Sequence, residues 1–116
     1  MINSTINDKT FDEVLTKQFE LEPESKAILK FGAKWCGPCK FLDASLKAAP
    51  EIPNYKIYLI DVEESPELGA LFDVQMVPTV IVLDKSFIDS EFNNTKIIKR
   101  IYGSGITIEE ITKSTK

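Results

Sequence analysis

An apolar run, Ala27-Ile28-Leu29-Lys30-Phe31-Gly32-Ala33, is separated by Lys34 alone from Trp35-Cys36-Gly37-Pro38-Cys39-Lys40. No other stretch limits the fold as tightly. The run reads as a buried strand. Beyond it, Cys39, Leu42, Leu46 and Ala49 recur at the three- and four-residue intervals of a helix. The chain has only two cysteines, and both lie in this junction. A strand must therefore pass through a tight turn into a helix whose first turn carries two sulfurs.

That arrangement has a chemical consequence. A thiol attacks a disulfide as its thiolate, and a free cysteine at neutral pH is mostly protonated. At a helix start, unpaired N–H groups and the positive end of the dipole favour an anion, so Cys36 is expected to be acidified. Helix-start cysteines fall to about 3.5–7.5. Lys34 and Lys40 flank the pair and add positive potential. Pro38 falls in the first turn, where its missing N–H breaks no helical bond and its fixed φ suits the helix. One turn separates Cys36 from Cys39, which puts the sulfurs within bonding reach. Cys39 also begins the apolar face, so it should be the more buried. The reading assigns attack on a disulfide to Cys36 and resolution of the mixed disulfide to Cys39. Half of a zinc site or a structural bridge would share this spacing. With no histidine and no third cysteine, a metal site is not expected.

The 116 residues suit one domain spanning 1–116, and 43% hydrophobic with 28% charged residues reads as soluble and globular. A net charge of −4 argues against nucleic acid or an anionic membrane as the main partner. Met1-Ile2-Asn3-Ser4-Thr5 is polar and lacks a signal pattern, and no apolar run approaches spanning length. The cytoplasm is the expected compartment, where a cysteine pair is catalytic rather than structural.

In chain order, residues 2–6 read as an edge strand. Thr10 and Glu13 form a capping box ahead of a helix whose buried face is Phe11, Val14, Leu15 and Phe19. Residues 27–33 are the central strand and 36–49 the cysteine-bearing helix. Residues 55–61 read as another strand. Ser65 caps a short helix begun by Pro66 and faced by Leu68, Leu71 and Phe72. Val80–Leu83 and residues 96–102 are two further strands joined by a long connection, 84–95. A last helix opens at Thr107 with Glu110 as a second capping box and Ile108 and Ile111 as anchors. Alternating strands and helices imply right-handed parallel crossovers, and the closing hairpin must be antiparallel. The expected architecture is α/β, a central mixed sheet with helices on both faces.

At Trp35-Cys36-Gly37-Pro38-Cys39-Lys40 the chain resembles the thioredoxin family, whose active-site signature this is, and the resemblance extends over nearly the whole length. It implies the thioredoxin fold and a protein-disulfide reductase cycling between a Cys36/Cys39 dithiol and disulfide, with no bound cofactor. Electrons would come from an NADPH- or ferredoxin-linked thioredoxin reductase, substrates would be disulfide-containing proteins, and the protein would be a monomer. Val77-Pro78-Thr79 is similar to the family's cis-proline segment, which lies opposite the cysteines and offers backbone groups to an extended substrate. Trp35, Gly37, Pro38, Met76, Val77, Tyr102 and Gly103 would then rim an apolar docking surface. Gly-Pro between the cysteines resembles the reducing members. An oxidase or isomerase of the same family, or a scaffold subunit without enzymatic activity, is the alternative.

Three departures stand out. Family members carry a buried aspartate where this chain has Lys30, and the lysine usually paired with it falls at Ile57. Lys30 should either extend its ammonium to the surface, the preferred reading, or lie near Cys39 and serve as a base. With Lys34 and Lys40 it is expected to tune cysteine protonation. Ala44 replaces a helix-kinking proline. The 84–95 connection is long and carries Phe87, Ile88 and Phe92, which either cover the sheet edge, the favoured reading, or meet a partner.

Overall fold

A computed structural model describes residues 1–113. Its strands are β1 (Ser4–Ile6), β2 (Lys26–Gly32), β3 (Tyr55–Asp61), β4 (Thr79–Leu83) and β5 (Lys99–Tyr102). Its helices are α1 (Phe11–Leu21), α2 (Gly37–Ala48), α3 (Pro66–Leu71), α4 (Lys85–Asp89) and α5 (Ile108–Thr112). The strands form one mixed sheet in the order β1-β3-β2-β4-β5. β1 and β2 run parallel to β3, whereas β4 is antiparallel to both β2 and β5.

Alternation along β2 sorts the core into two layers, because successive strand residues face opposite sides. Ala27, Leu29 and Phe31 join Phe11, Leu15 and Phe19 of α1, Leu68 of α3, and Phe72 and Phe87. Ile28 joins Ile57, Val80 and Val82 on the other face, against Leu42 and Leu46 of α2 and Ile111 of α5. Each fully buried side chain of this size contributes about 1.5–3 kcal/mol. Helices thus cover both faces, with α2 clamped onto the second by the apolar spacing that marked it in the sequence. α2 runs unbroken through Ala44.

Several local expectations need correction. Thr10 occupies the N-cap position of α1 but its side chain makes no capping bond, so that box is not formed. Asn7 engages the turn ahead of the helix instead: its side-chain carbonyl accepts from Lys9 and Thr10 N–H, and its own N–H donates to Thr10 Oγ1. Ser65 likewise does not cap α3. The Asp8 carboxylate does so from across the chain, accepting from Glu67 N–H at 3.1 Å and Leu68 N–H at 2.9 Å. Thr107 does cap α5, accepting from Glu110 N–H at 3.1 Å.

The long connection contains α4, capped by Asp84 accepting from Ser86 N–H. Phe87 is fully buried, stacks on Phe72 with ring centroids 5.2 Å apart and on Phe92 at 5.4 Å. Its apolar residues therefore cover the sheet, over the α1 face rather than along the edge. β5 starts at Lys99 instead of 96, because Asn93 caps a 3₁₀ turn at Asn94–Lys96 by accepting from Thr95 N–H.

A buried polar chain ties α1 to the start of β2. Tyr58 Oη donates to Gln18 Oε1 at 2.7 Å, and Gln18 Nε2 donates to Ser25 Oγ at 2.8 Å and to the Lys26 carbonyl. Burial, then the nearby Glu22 charge, pushes the Tyr58 hydroxyl up to about 12. The unfolded chain ionises this phenol from about pH 10, two units earlier, so its stabilising contribution is complete below pH 10 and lost as pH rises toward 12. Tyr58→Phe should cost about 1–3 kcal/mol at neutral pH by stranding Gln18 Oε1. Urea titrations at rising pH should show the deficit against wild type shrinking between pH 10 and 12. A deficit constant across that window would contradict the account.

Candidate active site

The junction between β2 and α2 places both sulfurs. Cys36 is the N-cap residue of α2, and its sulfur accepts the backbone N–H of Cys39 at 3.1 Å. A sulfur atom therefore fills the place usually held by a capping oxygen, against one of the helix's orphan donors. Pro38 sits in the first turn and contributes no N–H there. Cys36 and Cys39 are joined as a disulfide across a Cα–Cα distance of 5.3 Å. Both are shielded, Cys39 at 1% exposure and Cys36 at 4%. They pack with Ala33, Val62 and Val77.

Opposite them, the Val77–Pro78 peptide is cis. Pro78 is buried, its carbonyl accepting Gly103 N–H at 3.0 Å, with Gly103 at a φ of +86° that suits glycine. Among the described residues no backbone–backbone hydrogen bond engages Val77. Trp35, Met76 and Tyr102 are largely exposed, as are Gly37 and Pro38. A groove of about 540 Å³ runs between Pro38, Phe41, Leu42 and Ser45 of α2 and Pro78 with residues 103–107. Phe41, 82% exposed, is a residue that sequence reasoning passed over. Its signal was visible: it lies out of phase with the Cys39-Leu42-Leu46 face.

The lysines divide. Lys34 extends into solvent with Glu64 at 3.5 Å, and Lys40 is exposed, so the field of each at the cysteines is screened. Lys30 does the reverse of the surface-seeking expectation. It is 4% exposed, with its Nζ 2.7 Å from Asp43 Oδ1. Strand alternation points it inward, beneath α2, and a carboxylate on that helix removes the need to reach water. The contact is an ion pair rather than a well-aligned hydrogen bond, since Asp43 Oδ1 is buried with no hydrogen-bond partner. Asp43 was also missed, although it stands four residues after Cys39 on the same helix face. Ile57, where a family lysine would fall, is core. Lys56, on the neighbouring position, pairs with Glu22 at 3.4 Å.

Gly32 makes room for this cluster. A β-carbon there would stand 2.3 Å from Lys30 Nζ and 3.3 Å from Cys39 Cβ. Among the described residues no group of three or more His, Cys, Asp or Glu comes together to hold a metal, and no helix is long and apolar enough to cross a membrane. The arrangement supports sulfur chemistry: a capped, exchangeable disulfide with an apolar approach on one side and a buried ion pair on the other.

The family model for thioredoxin matches residues 3–102. Thioredoxin H5 of Oryza sativa subsp. japonica is 32% identical over 108 residues, covering 89% of this chain and 67% of that protein. The thioredoxin of Chlamydia trachomatis is 39% identical over 56 residues, 47% of this chain. In that match the chain spans 55% of the chlamydial protein's length. Mitochondrial thioredoxin 3 from Saccharomyces cerevisiae, in its oxidized form, is a structural neighbour with a TM-score of 0.65 at 25% identity, covering 90% of this chain and 85% of that one.

Gly32→Ala should displace the Lys30 ammonium and press on Cys39, lowering stability by about 1–3 kcal/mol. Urea denaturation of the oxidised protein measures it, and an unchanged midpoint would mean the space is not closed.

Proposed function

The chain belongs to the thioredoxin family, and from that premise we propose that it is a thiol–disulfide oxidoreductase that reduces disulfides in other proteins. The observation that carries the reading is the Cys36–Cys39 disulfide at the N-terminus of α2, with the Cys36 sulfur against the Cys39 N–H. In the reduced protein that N–H and the helix dipole favour negative charge on Cys36. The Cys36 thiolate attacks one sulfur of a substrate disulfide, forming a mixed disulfide and releasing the other substrate sulfur as a thiolate, which takes up a proton. Cys39 then loses its proton and attacks Cys36. The intramolecular disulfide forms, the mixed disulfide breaks, and the second substrate sulfur leaves as a thiolate and is protonated.

The backbone of Val77, beside cis-Pro78, offers an extended substrate segment a place to pair next to the cysteines. Trp35, Met76 and Tyr102 supply apolar contact around it. The Gly37-Pro38 pair favours a reductant over an oxidase or isomerase. In this reading a thioredoxin reductase, drawing on NADPH or ferredoxin, returns the disulfide to the dithiol, and the protein works as a cytoplasmic monomer.

Insulin disulfide reduction, driven by dithiothreitol or a candidate reductase, tests the activity. Cys36→Ser should abolish it, and Cys39→Ser should stop each molecule at a mixed disulfide visible by mass spectrometry. Serine variants that turn over like wild type, or a wild type without activity, would refute the proposal.

A further inference from the structure

Lys30 and Asp43 form a buried charge cluster that the disulfide chemistry described so far does not use. The ammonium belongs to a side chain 5% exposed, whereas the Asp43 side chain is 35% exposed. Lys30 approaches Cys39 across Gly32: the point where a β-carbon on Gly32 would lie is 2.3 Å from Nζ and 3.3 Å from Cys39 Cβ. Two charges of opposite sign would cancel at Cys39 if equally screened. They are not. The Asp43 oxygen that faces Lys30 is buried, but the rest of that side chain lies partly open to solvent, which damps its field more than that of the ammonium, which acts through packed protein.

We propose that Lys30, held under α2 by Asp43, is a positioning residue whose ammonium favours the thiolate of Cys39 during resolution of the mixed disulfide. The inference rests on the proposed reductase cycle. It inverts the polarity that the family resemblance implies at this position, where a carboxylate would oppose an anionic Cys39. In the resolving step the Cys39 proton departs, the Cys39–Cys36 bond forms, the Cys36–substrate bond breaks, and the leaving substrate thiolate recovers a proton from solvent. Lys30 keeps its own proton throughout.

Other charges bearing on Cys39 are few. Asp61 pairs with Gly32 across β2 and β3 on the same sheet face, and its carboxylate accepts Glu63 and Glu64 N–H. Lys34 and Glu64 form an exposed pair, and Lys40 is in solvent. The neighbours contributed from the β3 and β4 approaches, Val62 and Val77, are uncharged.

The test is a pH titration of the Cys39 13Cβ resonance in the full chain carrying Cys36→Ser, which removes the coupled partner. Lys30→Met and Asp43→Asn are compared on that background. Removing the ammonium should raise the Cys39 midpoint by about one pH unit or more, whereas removing the carboxylate should lower it. Loosened packing alone would move both variants the same way. Shifts in one direction, or none in either, overturn the proposal. If Lys30→Met does not fold, Asp43→Asn decides: a lowered midpoint supports the role, and an unchanged or raised one refutes it. Insulin reduction by the wild type is scored separately, so an inactive protein would strike the reductase reading and an unmoved titration only the role of Lys30.

Discussion

The docking of α2 on the sheet is the contact on which the site depends. Leu42 and Leu46 bind the helix to Ile28, Ile57, Val80 and Val82, and that seating fixes where its first turn points. Only then does the Cys36 sulfur meet the Cys39 N–H, and only then does the cysteine pair pack with Val77. The helix start supplies a donor that no neighbour on α2 can satisfy, and a sulfur occupies it. A loop could bring two cysteines together, but it would give neither sulfur an aligned set of peptide dipoles.

The same seating forces the burial of Lys30. Its place on β2 follows Ile28 by two residues, so the pleat aims it at the underside of α2. An unpaired ammonium there would lose several kcal/mol of hydration. Asp43, one turn beyond Cys39, lies where it can compensate, and Gly32 leaves the ammonium its space. The ion pair and the disulfide therefore belong to one cluster built by two elements, and a change at Gly32 reaches both.

What the sequence revealed and what it hid follow a physical division. Periodicity reports which face of an element is buried, so the strands, α1, α2 and their core residues were legible. Capping was legible only where the partner is local. Thr107 caps α5 as read, but α3 takes its cap from Asp8, far away in sequence, and the Thr10 hydroxyl is engaged by Asn7 rather than by α1. A side chain that closes a helix from another part of the fold leaves no mark in the segment it closes. Phe87 and Phe92 showed as apolar residues in a connection, and nothing local distinguished covering the core from meeting a partner. Lys30 was visible as an anomaly. Its burial was not, because the decision rested on whether a carboxylate stood over it, and Asp43 lies on a different element.

The two sides of the disulfide carry different duties. On the outer side stand Trp35, Phe41, Met76 and Tyr102, exposed and apolar, together with the backbone of Val77, which has no backbone hydrogen-bond partner among the described residues. In the proposed cycle, contacts there would be made to the approaching polypeptide and would govern which disulfides are reached. On the inner side stand Lys30, Asp43 and Gly32, gathered beneath α2 beside Cys39. Charges screened by water at the surface, such as those of Lys34 and Lys40, cannot substitute for a buried one. The two sets share no residue. In the proposed cycle, choice of substrate and ease of resolution would draw on different residues and meet at the Cys36–Cys39 pair.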